Sequence, residues 1–299
     1  MILLEPNSMI MEDTIFKILD SDKYEVVDLI LADYDSVSYH ISTPETKTQL
    51  LISMTMKCYS DLERYGAREI LEREFSQYLT NTEQGYNVSL LVDLENFSED
   101  KAEFSKKIGL LKRYAFAAPF EKAFQEQASE NGNAELMTID YRENESFYIK
   151  PSSDRVTVVF STEFQEEMDR VFGKVFLQEF VDARRQPAIQ NAPQVLYSNR
   201  EPPLEIRGIP NPSTSEGFGY VTFVLFPRHF VEGEIREKTI SQIQLFRDYL
   251  HYHIKCSKAY MHSRMRQRVS DFLKVLNRAK PEVANAEKKT ITGRSFRRQ

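Results

Sequence analysis

Two cysteines among 299 residues, Cys58 and Cys256, are too few for a disulfide framework and agree with a reducing compartment. Long hydrophobic runs are also missing. The longest apolar stretches, such as VTFVLF at residues 221–226, fall far short of the roughly 18 residues that a membrane span requires. No segment is therefore expected to cross a bilayer. The first residues, MILLEPNSMIMED, lack both a basic leader and a hydrophobic stretch of signal-peptide length, so the expected location is the cytosol. Without secretion, the glycosylation sequons at Asn87, Asn96 and Asn144 are chance matches.

The residue types that carry catalysis are scarce or badly spaced. Histidine occurs five times, and His251 and His253 stand two apart on a predicted helix, so they point in different directions. His262 lies nine residues beyond His253, whereas metal ligands on one helix face need a spacing of three or four. Gly173 and Lys174 lack the upstream glycine loop that cradles phosphate, and the Gly217–Gly219 pair lacks the third glycine of a dinucleotide turn. There is no Gly-x-Ser-x-Gly elbow, and neither cysteine has an adjacent histidine to serve as its base. Cys256, near His253, reads as a small apolar residue on a packed face. The expectation is a protein with no metal, no cofactor and no enzymatic activity.

What the chain does contain is enough apolar residue for packed cores, at 41% hydrophobic and 12% aromatic, and enough length for two domains. Its charge is segregated. Residues 246–299 hold 14 Lys and Arg against 4 Asp and Glu, a net +10, so the total of −6 leaves −16 on residues 1–245. An acidic body with a basic arm suits an acidic partner: nucleic acid, an anionic lipid surface or an acidic protein such as actin. One alternative function is thus an adaptor for anionic lipid or nucleic acid, using the tail residues Lys288, Lys289, Arg294, Phe296, Arg297 and Arg298. No recognised nucleic-acid module accompanies those residues, so nucleic acid is not an expected partner.

The basic arm begins in a long amphipathic helix. Ile243, Phe246, Leu250, Ile254, Met261, Met265, Val269, Phe272 and Leu276 recur at helical spacing, with Ser257 as the one interruption of the stripe. Thr239 and Gln242 read as a capping box and Pro281 as the far limit, which predicts a helix over about 239–279, roughly 60 Å long. One domain cannot cover such a stripe, so part of it is expected to lie against another chain.

Along the rest of the chain the pattern predicts an α/β (α+β) fold of two similar βββαβα domains, at 1–128 and 135–299. The first has strands at 24–32, 37–41 and 50–57, a helix at 61–79, a strand at 86–94 and a helix at 101–127. The second has strands at 136–141, 146–150 and 155–162, a helix around Val171–Phe180, a strand at 219–227 and then the long helix. GYNVSLLVDLENF from Gly85 and GYVTFVLFPRHF from Gly219 mark the corresponding strands. Six of the twelve prolines fall in residues 187–212, so the second domain carries an irregular insert at 187–218, within which 194–198 is a candidate strand; a basic tail occupies 281–299.

Several segments in order carry a family resemblance: GYNVSLLVDLEN at Gly85, GLLKR at Gly109, DRVTVVFST at Asp154 and GKVFLQEF at Gly173. Further on come APQVLYSNREPPLE at Ala192, YVTFVLFPRH at Tyr220, FRDYLHYHIKCSKAYMHSRMR at Phe246, SDFLKVLNRA at Ser270 and KKTITG at Lys288. They resemble the p34 subunit family of the actin-related protein 2/3 complex, subunit 2, over essentially the whole chain. The stretch 163–170 and the insert IPNPSTSEGF at 209–218 depart from that pattern.

The resemblance implies a noncatalytic, actin-binding scaffold subunit. It would pair with subunit 4 through long C-terminal helices, help hold the two actin-related proteins, and touch the mother filament during nucleation of branched filaments. ATP would belong to the actin-related subunits, and the location would be the actin cytoskeleton of leading-edge cell projections. On this basis Phe246, Leu250, Ile254, Met261, Met265, Val269, Phe272 and Leu276 form a seam shared between the chain's own domains and subunit 4. Lys274, Arg278, Lys280, Arg184 and Arg185 would face acidic actin.

Overall fold

A computed structural model describes residues 4–129, 134–183, 186–199, 201–209, 217–278, 288–289 and 295–296. Met11, Ile15 and Leu19, four apart, bury one side of the first helix, α1 (Met9–Leu19). No helix is expected there from sequence, because three apolar positions are too short a pattern to stand out. Then β1 (Asp28–Asp33), β2 (Val37–Ser42), β3 (Gln49–Met56) and β4 (Val88–Asp93) make an antiparallel sheet in that spatial order. Alternation sets its inner face: Val37, Tyr39 and Ile41 of β2 and Leu50, Ile52 and Met54 of β3 are all buried.

Both helices expected in the first half are broken in two. Over 61–79 the chain forms α2 (Tyr59–Arg64) and α3 (Ala67–Phe75), parted at Gly66, whose φ of +102° suits glycine alone among common residues. Over 101–127 it forms α4 (Lys101–Gly109) and α5 (Leu111–Ala128). Asp100 caps α4 by accepting the Glu103 N–H at 2.8 Å. At the joint, the Gly109 carbonyl accepts the Ser8 N–H at 2.8 Å, and a Cβ on Gly109 would lie 3.3 Å from the Ser8 carbonyl oxygen. The start of α1 is seated on this break.

The second half supplies β5 (Met137–Ile139), β6 (Phe147–Pro151), β7 (Val156–Glu163), α6 (Glu167–Ala183), β8 (Gln194–Ser198) and β9 (Phe218–Leu225). Its antiparallel sheet runs β5-β6-β7-β9-β8. Beside β7, β9 takes the place that β4 takes beside β3, and β8, from the proline-rich insert, is added at the edge.

The single long helix expected over about 239–279 is instead α7 (Glu234–Gln244) and α8 (Phe246–Arg278), separated at Leu245. Thr239 is no cap: it sits inside α7 and donates its hydroxyl to the His229 carbonyl at 2.6 Å. Helix α8 has 33 residues, hence a length of about 50 Å. Near the C-terminus β10 (Lys288–Lys289) pairs antiparallel with β11 (Ser295–Phe296). Residues 1–254 form one compact unit and residues 255–299 a second.

In the first unit α5 is the shared element, packing against α2, α3, α4 and α7 and against β6 and β7. Buried residues surround it: Leu111, Ala115, Phe116, Phe120, Ala123 and Phe124 are apolar, but Arg113 and Glu121 are buried too. A buried charge must find a partner. Glu121 accepts two hydrogen bonds from the Arg73 guanidinium of α3, at 2.9 and 3.0 Å, and lies 3.4 Å from Arg236 of α7. Arg113 reaches Glu237 at 2.6 Å and the Ser241 hydroxyl at 3.1 Å.

A third group of charges joins the two sheets. Asp35, at a positive φ of 64° in the β1–β2 turn, meets Lys112 of α5 at 2.8 Å and Arg142 of the β5–β6 loop at 2.7 Å. Arg142 also reaches Asp248 of α8 at 3.0 Å, and Arg247 pairs with Glu145 at 2.7 Å. Although burial works against it, the charges of Lys112 and Arg142 hold the Asp35 carboxyl below its usual range. Burial, reinforced by the Asp35 carboxylate, instead lifts Asp248 to about 6.

Removing Arg142 with Arg142→Met should therefore cost about 3 kcal/mol in unfolding free energy, measured by denaturant titration, because two buried carboxylates lose their common partner; a loss within error would mean that the cluster does not hold the sheets together. The folded-state pKa of Asp248 lies above its ordinary 3.8, so its protonation favours the folded state and that contribution is lost as pH rises through about 6. The stability difference between wild type and Asp248→Asn should shift by about 1 kcal/mol in favour of wild type between about pH 7 and pH 5. His251, which opposes this trend in both proteins, cancels from that difference.

Candidate functional site

His251, His253 and the buried Cys58 serve packing, whereas Cys256, expected on a packed face, is exposed because α8 has left the core by that point. His251 lies stacked on Phe164 at 5.7 Å, and burial, followed by the charge of Arg247, pushes its pKa down to about 4. His253 stacks on Phe176 at 5.5 Å and meets Tyr249 edge-on at 4.2 Å. Burial drives the Cys58 thiol up to about 12, so it supplies no thiolate at neutral pH. Gly173 has a steric role, since a Cβ there would come within 2.6 Å of the Phe164 ring. Among the described residues no group of three or more His, Cys, Asp or Glu could hold a metal, and no helix is long and apolar enough to cross a membrane.

The candidate interaction site lies on α8. Its first turns carry Phe246, Leu250 and Ile254 at a spacing of four, and all three are buried in the first unit's core. Phe246 packs edge-to-face on Phe223 at 4.7 Å and on Phe180 at 5.9 Å. From Lys255 to Arg278 no side chain is buried. Met261, Met265, Val269, Phe272 and Leu276 are 40%, 55%, 58%, 64% and 50% exposed. The eight residues of the sequence-derived seam thus divide between Ile254 and Met261. Three are covered by their own chain and five are open.

Around this open segment the residues fall on two faces. At about 100° per residue, Val275, Met261, Phe272, Met265, Leu276, Val269 and Leu273 cover an arc of about 160°, interrupted by Arg268 between Val275 and Met261 and by His262 between Val269 and Leu273. That is wider than the two-position seam of a paired coiled coil. Leu273 and Val275, 56% and 63% exposed, are absent from the seam read in the sequence, where only steps of three and four were followed; a wheel projection brings both in. Lys274 projects about 180° from Met265, and Arg278 about 160° from Leu276. Lys274 lies 3.7 Å from Asp271, while Gln267 donates to Asp271 at 3.0 Å and Arg264 to the Tyr260 hydroxyl at 3.0 Å. These contacts support the helix itself by a few tenths of a kcal/mol each and leave the stripe uncovered. Lys280, Arg184 and Arg185 lie outside the described residues.

An exposed apolar arc of this size on a basic helix is the kind of surface that other proteins cover. A family model described as "Arp2/3 complex, 34 kD subunit p34-Arc" matches residues 52–283. A protein of Schizosaccharomyces pombe named actin-related protein 2/3 complex subunit 2 is 51% identical over 316 residues, covering 99% of each chain. A Dictyostelium discoideum protein of the same name is 40% identical over 299 residues, again covering 99% of each.

Proposed function

The chain belongs to the 34 kD subunit family of the Arp2/3 complex, and from that premise we propose how its exposed helix serves as a noncatalytic, actin-binding scaffold. The apolar arc of α8 beyond Ile254 packs against subunit 4, and the opposite basic face, with Lys274 and Arg278, turns toward the acidic side of the mother filament. Lys280, Arg184 and Arg185 extend the filament-facing set. The observation that carries this reading is the pairing of five apolar side chains, each at least 40% exposed, with cations on the other side of the same helix. One segment can then hold a partner subunit and a filament at once. The width of the arc favours burial by more than a single partner helix.

The shared order of strands and helices in the two sheets supports reading 1–128 and 135–299 as copies of one βββαβα unit. Working as such a scaffold, the subunit would hold the two actin-related proteins for filament branching in the actin network of leading-edge projections.

Co-expression with subunit 4, followed by cosedimentation with actin filaments over a salt series, tests both faces. Met261→Glu with Met265→Glu should weaken the subunit pair by about a thousandfold, the equivalent of about 4 kcal/mol for two buried side chains; co-purification of an intact pair would refute the seam. Lys274→Glu with Arg278→Glu should leave the pair intact, lower filament affinity about tenfold at low salt and flatten the salt dependence. Unchanged filament binding would return those cations to the role of a solvated helix face.

A further inference from the structure

We propose that a cavity beneath the start of α1 binds a small aromatic amine, a ligand unrelated to the scaffold role. The cavity, of about 530 Å³, lies among residues 5–10, the β1–β2 turn and the N-terminal turns of α5 and α8, all within the first unit. That volume is in the range of sites for drug-sized ligands. Phe116, Phe120, Phe147 and Phe160 give it an aromatic lining, with ring centroids of Phe120 and Phe147 6.0 Å apart and those of Phe147 and Phe160 5.7 Å apart. Tyr141 adds a further ring, and its hydroxyl is buried with no hydrogen-bond partner among the described residues. Native interiors rarely leave such a group unmatched, so an incoming atom that bonds to it gains what the empty site forgoes.

Charge selects the ligand. The carboxylates Glu5, Asp33, Asp35 and Asp248 line the cavity, against the cations Lys112 and Arg113. Both cations are already engaged, Lys112 with Asp35 at 2.8 Å and Arg113 with Glu237 at 2.6 Å. Glu5 has no ion-pair partner among the described residues. Asp248 shares Arg142 with Asp35 and lies 3.6 Å from Arg247, and burial with the Asp35 charge still raises its pKa, which a further cation nearby would lower. Aromatic faces combined with surplus negative charge recognise organic ammonium groups. An anionic amphiphile would meet the carboxylates, and a neutral one would leave the surplus unmatched.

The test is saturation-transfer NMR on the assembled complex and on the full-length chain, using tryptamine, with indole-3-acetate and indole as its anionic and neutral counterparts. Tryptamine should bind at least about tenfold more tightly than indole-3-acetate. Tyr141→Phe should weaken it about fivefold, the loss of one hydrogen bond. Ala32→Phe, at an exposed position on the cavity wall, should abolish binding without lowering the melting temperature. Equal binding of all three probes, retention of tryptamine by Ala32→Phe, or no transfer to tryptamine would each overturn the proposal. Transfer with the chain but not with the complex would overturn it as well, because a neighbouring subunit would then be the occupant.

Discussion

The arrangement of residues 1–254 depends on one requirement: α5 is buried among neighbours on every side and yet carries Lys112, Arg113 and Glu121. Each of these charges is answered by a different part of the chain. The β1–β2 turn sends Asp35 to Lys112, α7 sends Glu237 to Arg113, and α3 and α7 together bring Arg73 and Arg236 to Glu121. Apolar packing on α5 would tolerate small slides of its neighbours, but a charge left alone in that interior would cost several kcal/mol. The ion pairs therefore act as register marks for helices that hydrophobic contact alone would hold less specifically.

Strands were the legible part of this fold. Their β-branched and aromatic runs place β2, β3, β7 and β9 within a few residues of their observed limits, and Gln194–Ser198 emerges as β8 from within a proline-rich insert. Helix interruptions were not legible. Gly66 could be read as tolerated within a helix, Leu110 has no breaking tendency of its own, and Leu245 is a strong helix former. At Leu110 a tertiary contact accompanies the break, since Ser8 bonds to the Gly109 carbonyl; local propensity carries no record of that contact.

The candidate site shows the same division. Apolar periodicity runs from Phe246 to Leu276 with nothing in the residue types to separate Ile254 from Met261, although the first is 1% exposed and the second 40%. Which residues are covered depends on how far the sheet and α6 extend beside the helix. Asp35 and Arg142 were hidden for a different reason. An aspartate in a hairpin turn and an arginine in a loop look like ordinary solvent-facing polar residues, and only the fold turns them inward. Conversely, the closely spaced His251 and His253, whose spacing spoke against a metal site, are ring-stacking residues, for which no metal-like spacing is required.

The open stretch of α8 also bears on how long the chain survives before it is assembled. Seven large apolar side chains displayed on one helix are the kind of surface that chaperones retain and that quality-control proteases read as unfinished. A copy made without its partner would be held back or removed, while a copy whose helix is covered would persist. On the proposed assembly, the abundance of the subunit would follow the supply of whatever covers Met261 to Leu276.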